Sequence, residues 1–207
     1  MSLYIFGVRV DISYPLAAVM TLAMIYDSSM SALVCLLAVL IHEGGHLLML
    51  GISGAMPGRI RITLFDISIV DRGKALRSTG YELAVVLAGI TANLLLAGTS
   101  FVINSIFPCH FWEGLIYANL TMALFNGLPV DSLDGGQAVF LLLSQKLSPY
   151  RALIILDIIS FAVLVPAGCA GFLLLLRSKY NFTLLLSCLY LTSLILIRRS
   201  RILLPAK

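Results

Sequence analysis

The sequence is short of charge: Asp, Glu, Lys and Arg make up only 12% of its 207 residues, about half the share that soluble domains carry. With 60% apolar residues and a mean hydropathy of +1.02, too little polar surface remains to cover a water-soluble core. This composition predicts an integral membrane protein. Paired cysteines are also missing. Cys35, Cys109, Cys169 and Cys188 lie in apolar segments or at their edges with no C-x-x-C spacing, so they read as small buried hydrophobes rather than a metal knuckle or redox pair. Repeats and low-complexity runs are absent, and no nucleic-acid-binding motif accompanies the net charge of +4, which therefore reads as membrane topology. No cleavable leader is evident, because Met1 to Arg9 carry little positive charge and no small-residue cleavage site follows the first apolar stretch. That stretch is expected to stay in the mature chain.

What is present is a series of apolar runs. At about 20 residues per crossing of a bilayer core, six segments emerge, near 12–27, 30–51, 81–104, 111–129, 151–176 and 181–197. Two connections break the pattern. In residues 52–80, the stretch Arg59-Ile-Arg-Ile-Thr-Leu-Phe-Asp-Ile-Ser-Ile-Val70 alternates and is rich in β-branched residues, as a strand or hairpin would be. In residues 130–147, the apolar Ala138-Val-Phe-Leu-Leu-Leu143 predicts a short helix beginning near Asp134. The expected fold is an all-α polytopic membrane protein of about six spans, with a short β-hairpin or edge-strand region between the second and third, as one transmembrane domain over residues 1–207 whose core lies near 30–145 with additional helices over 151–197. With the N-terminus inside, Arg9, Arg59, Arg61, Arg72, Lys74, Arg77, Lys146, Arg151, Arg198, Arg199, Arg201 and Lys207 face the cytoplasm, leaving Arg177 and Lys179 outside. So lopsided a distribution sets orientation.

Ionisable residues inside a span are costly and mark functional sites. The second segment contains His42-Glu43-Gly44-Gly45-His46. Histidines four apart on a helix lie about 40° apart around its axis, so both imidazoles leave one face and can take the same ion. A zinc hydrolase needs that layout: neutral imidazoles hold the metal, and a carboxylate, here Glu43, accepts a proton from a water that the metal has acidified. The plain alternative is a hydrogen-bonded polar cluster that holds helices together. A catalytic zinc that keeps a position for water needs a third protein ligand. Asp134 fits, in the run Asn126-Gly-Leu-Pro-Val-Asp-Ser-Leu-Asp-Gly-Gly136, where Pro129 ends or kinks the fourth segment and the glycine pair permits close backbone approach.

At these residues the chain resembles the site-2 protease family of intramembrane zinc metalloproteases. The H-E-x-G-H motif stands as His42 to His46 and the N-x-x-P-x-x-x-L-D-G motif as Asn126 to Gly135. The resemblance covers roughly residues 12–145, and the six-segment layout is most similar to the sporulation branch, which processes a pro-sigma factor. It implies one Zn²⁺ held by His42, His46 and Asp134, Glu43 as general base, and Asn126 positioning substrate or stabilising the oxyanion. Asn93, in Gly89-Ile-Thr-Ala-Asn93, would line the site, although many relatives carry Gly-Pro before that Asn. The resemblance further implies a membrane or membrane-associated protein as substrate, inhibitory membrane partners, and residues 59–70 as an edge strand that holds unwound substrate by strand addition. No PDZ-like insert and no CBS domain is expected in this chain.

Other polar residues have simpler readings. His110 is expected in a solvated outer loop. Asp157 in the fifth segment lines an access path or pairs with a basic residue, or else serves packing or snorkelling. Glu82 with Arg72, Lys74 and Arg77 reads as an interfacial anchor. Two rival functions fit the same residues less completely: a membrane metal-ion transporter, which leaves Glu43 unexplained, and a catalytically inactive membrane scaffold.

Overall fold

The computed structural model describes residues 2–5, 8–27, 30–54, 59–62, 67–70, 78–178 and 182–203. Arg72, Lys74 and Arg77, the basic part of the expected anchor, lie outside these residues, as does Lys179. The elements run β1 (Ser2–Ile5), β2 (Val8–Ile12), α1 (Tyr14–Tyr26), α2 (Ser31–Ile52), β3 (Arg59–Ile62), β4 (Ile67–Val70), α3 (Thr79–Ile106), α4 (His110–Asn126), α5 (Asp134–Ser144), α6 (Pro149–Arg177) and α7 (Thr183–Leu203). Among the described residues, α2, α3 and α6 are long and apolar enough to cross a membrane. At 13 and 17 residues, α1 and α4 fall short of about 20.

Two compact units make up the chain, Met1–Leu124 and Phe125–Lys207. In the first, the four strands form one sheet in the order β1-β2-β3-β4. β3 pairs antiparallel with β4 and parallel with β2, with Val10 opposite Ile60. The N-terminal strands had no counterpart in the sequence reading. β1 pairs antiparallel with β2 as a hairpin, Ile5 opposite Val8, and the alternation Val8-Arg9-Val10-Asp11-Ile12 is the strand signal that this reading passed over.

The helices of this unit show their partners through what they bury. α2 buries Val34, Ala38, His42, Gly45, His46 and Leu50, a stripe at helical spacing, while Leu40, Leu48 and Ile52 are exposed. α3 buries Glu82, Val86, Gly89, Asn93, Ala97 and Ser100, and α4 buries Leu115, Asn119 and Ala123. Small and polar residues inside with large apolar ones outside is the pattern of helices solvated by lipid. It also corrects the reading of the cysteines: Cys35, Cys109 and Cys169 are exposed and only Cys188 is buried, because a small apolar residue on a lipid-facing surface costs nothing.

Small residues let α2 and α3 approach closely. A Cβ on Gly45 would lie 2.6 Å from the Ala88 carbonyl oxygen and 2.9 Å from the Ala92 Cβ. The Tyr81 hydroxyl of α3 donates to the Met49 carbonyl at 2.9 Å, tying the start of α3 to the end of α2. Ser78 caps α3, its hydroxyl accepting from the Tyr81 N–H. His110 is the first residue of α4 rather than part of a loop. It is fully exposed and pairs with Glu113 at 3.1 Å.

The second unit is built on α6 and α7 around Val130, Leu133, Leu164, Cys188, Leu191 and Ile195. A Cβ on Gly171 would meet the Leu185 nitrogen at 2.9 Å, so these helices too touch through backbone. α5 begins at Asp134, after an extended Leu133. The loop before it wraps tightly on its first turn: a Cβ on Gly136 would lie 2.0 Å from the Val130 carbonyl oxygen, and one on Gly135 2.4 Å from that of Gly127. No larger residue fits either position without moving backbone.

Candidate metal centre

His42 and His46 stand on one face of α2 and are 3% and 8% exposed, which makes their hydrogen-bond partners decisive. The His46 Nδ1 lies 2.8 Å from the Val85 carbonyl of α3. A carbonyl only accepts, so Nδ1 carries the hydrogen, and in the neutral ring Nε2 holds the lone pair.

The tautomer of His42 follows from a longer chain of reasoning. Asn93, fully buried, donates its amide hydrogens to the Ala38 carbonyl at 2.9 Å and the Asn119 Oδ1 at 2.7 Å. Asn119 in turn donates to the Leu115 carbonyl at 2.8 Å. Both amides are thereby fixed in orientation by backbone oxygens. The Asn93 Oδ1, 2.7 Å from the His42 Nδ1, must accept, so His42 also donates from Nδ1 and keeps its lone pair on Nε2.

The two Nε2 atoms are 3.3 Å apart. Two lone pairs facing each other at that distance repel unless a proton or a cation lies between them. Zinc bound to two imidazoles at about 2.0–2.1 Å with a tetrahedral angle separates the nitrogens by about 3.3 Å. The donor set therefore fits a zinc ion in kind and in spacing.

Space for the pair comes from Gly89. A Cβ there would lie 2.5 Å from the His46 Nε2 and 2.8 Å from the His42 Cε1. Gly89, Asn119 and the Val85 carbonyl were not singled out in the sequence. A residue in the segment that becomes α4 carries no mark of contact with α3, although a fully buried Asn in an apolar run is itself a signal.

The structure gives the remaining candidates different surroundings. Glu43 is half-buried beside the histidines on α2. Asn93 stands beside His42, with both its amide hydrogens given to Ala38 and Asn119. Asn126 ends α4 and Asp134 opens α5, both half-buried. Asp157 is buried and paired with Arg198 and Arg199, so the reading of it as the partner of a basic residue is the one the structure shows.

No family model matches the chain. Stage IV sporulation protein FB of Bacillus subtilis (strain 168) is 32% identical over 126 residues, which are 59% of this chain and 44% of that protein. The chain thus matches less than half the length of this curated relative. In fold, it is similar to the site-2 protease from Methanocaldococcus jannaschii, with a TM-score of 0.62 at 18% identity, covering 92% of this chain and 91% of the other.

Proposed function

We propose that this chain is an intramembrane zinc metalloprotease; its likeness to the sporulation protein in sequence and to the archaeal protease in fold supports assignment to the site-2 protease family. Its substrates are membrane-embedded or membrane-associated proteins, and it lies in the membrane as about six spans with the catalytic face toward the cytoplasm. The observation that carries the reading is the histidine pair, which presents two lone pairs 3.3 Å apart with Glu43 on the next position of the same helix.

In this reading His42, His46 and Asp134 hold the ion. Zinc, when bound, supplies a Lewis acid that polarises the scissile carbonyl and acidifies water. Glu43 accepts the proton of the attacking water and delivers it to the leaving amine. Asn93 and Val85 hold the two imidazoles in the tautomer that a metal requires, as outer partners of zinc ligands do. Asn126 assists the carbonyl oxygen of the substrate. A helical substrate hides its peptide bonds and must unwind before attack. β3 is paired on both sides, so of residues 59–70 only β4 lies at the sheet's edge among the described residues; in this reading its outer N–H and C=O groups receive the substrate. Membrane partners that hold the enzyme inactive and a pro-sigma factor as substrate belong to the same reading, by likeness to the sporulation branch.

The test is co-expression with single-span or membrane-associated reporter substrates, comparing the native chain with Glu43→Gln. Cleavage by the native chain alone supports the reading. Equal cleavage by both removes Glu43 from the chemistry, and metal transport without cleavage favours a transporter.

A further inference from the structure

Among the described residues of the second unit, four charged side chains converge where an apolar chain can least accommodate them. The Asp131 and Asp157 side chains are only 7% and 5% exposed. Arg198 of α7 donates from Nη1 to the Asp131 Oδ1 and lies 3.5 Å from the Asp157 Oδ1 through Nη2. Arg199 reaches the other oxygen of Asp157 at 2.5 Å. Asp131 is also held by its backbone, whose N–H donates to the Ser160 hydroxyl of α6 at 3.0 Å. That hydroxyl in turn donates to the Leu156 carbonyl at 2.8 Å.

The carboxylates are buried but the Arg198 and Arg199 side chains are 36% and 43% exposed, and half-buried ion pairs of this kind are poor sources of stability. They do fix geometry, and a planar guanidinium with its donors in a rigid fork fixes it best. The geometry fixed here is that of the 127–133 loop. That loop cannot slide on α5, because Gly135 and Gly136 press on its carbonyls. Asp134 follows Asp131 by three residues. Whatever holds Asp131 therefore holds the start of α5.

We propose that Arg198 is a positioning residue: by bridging Asp131 and Asp157 it clamps the 127–133 loop to α6 and α7, and so fixes Asp134 for metal binding. This rests on the reading of Asp134 as a ligand given above. Arg199 touches Asp157 but not the loop, and so serves as the control.

The test uses the purified full chain and four variants: Arg198→Ala, Arg198→Lys, Arg199→Ala, and Arg198→Ala combined with Asp131→Asn. Two quantities are read, amide hydrogen exchange over residues 127–134 and retention of zinc against a chelator. Arg198→Ala is expected to raise exchange over 127–134 but not over 31–52, and to weaken zinc retention about 10–100-fold, the usual cost of losing an outer partner of a ligand. Arg198→Lys recovers part of both, whereas Arg198→Ala with Asp131→Asn, which leaves no stranded charge but still lacks the clamp, stays as loose as Arg198→Ala. Recovery in the double variant would assign the effect to a stranded charge and overturn the clamp. Arg199→Ala stays near the native values.

Unchanged exchange in Arg198→Ala overturns the clamp. Looser exchange with native zinc retention overturns its role toward Asp134. If Arg198→Ala does not fold, Arg198→Lys against Arg199→Ala decides the same two points. A native chain that retains no zinc instead overturns the metal reading itself and the Asp134 part of this proposal with it, while the exchange arm still decides the clamp.

Discussion

The Nδ1 of His42 and the Oδ1 of Asn93 are 2.7 Å apart, and Asn93 has no freedom to turn, because its amide hydrogens are taken by the Ala38 carbonyl and by Asn119. One buried amide thus dictates which nitrogen of His42 can face an ion. The first prediction follows directly. Asn93→Ala frees the ring to rotate and removes the donor to the Asn119 Oδ1, so zinc affinity should drop about 10–100-fold while helix content is kept. Chelator competition on the purified chain reads this, and native affinity in the variant would remove Asn93 from the centre.

Gly89 gives a steric prediction. The added methyl of Gly89→Ala would lie 2.5–2.8 Å from atoms of both imidazoles, closer than non-bonded atoms stand, so the rings must move and zinc loading should collapse. Overpacking of this kind costs about 1–3 kcal/mol in stability, small enough for the chain to fold. Gly98, on the same helix with open space around it, is the matching control: Gly98→Ala should load zinc normally.

How much of this was visible in the sequence depends on the range of the information. The metal motif was readable because His42 and His46 are four apart on one helix, and ionisable residues stand out in an apolar run. The start of α5 was readable from Asp134-Gly-Gly and the apolar residues that follow. The strands at residues 2–12 left a local trace in the alternation Val8-Arg9-Val10-Asp11-Ile12, but their place in one sheet with β3 did not, since β2 pairs with β3 across the whole of α1 and α2. How Asn93 is held beside His42 was hidden for the same reason. A sequence shows a polar residue in a span, but not that Asn119, 26 residues on, has already taken its donor. Asp157 became legible only once its partners, Arg198 and Arg199, were placed beside it.

Asp131 carries a dependence on pH. Burial is the largest influence on its carboxyl and pushes the pKa above the ordinary 3.8; Arg198 pulls it back down, and Asp157 raises it further. A carboxyl with a raised folded-state pKa favours folding while protonated, and that contribution is lost as pH rises from about 3.8 through the raised value. The melting temperature of Asp131→Asn, which stays neutral throughout, should therefore gain on that of the native chain as pH climbs through this window. Parallel melting profiles would show that Asp131 titrates normally.

The tight wrap of the loop on α5 yields a further stability test. Gly136→Ala would place a methyl 2.0 Å from the Val130 carbonyl oxygen, a backbone clash that no side-chain rotation relieves. Residues 127–134 should lose protection from hydrogen exchange while α2 and α3 keep theirs. Native protection throughout would contradict the packing described for this unit.

The central claim is that the paired imidazoles of α2 hold the zinc that peptide hydrolysis needs, and metal removal tests it most directly. The purified chain, in lipid vesicles with a membrane-tethered substrate, is stripped with a chelator and then titrated with zinc. Cleavage should vanish on stripping and return in full at one zinc per chain, with no recovery in His46→Ala. Cleavage that survives stripping, or that returns equally in His46→Ala, would contradict the account.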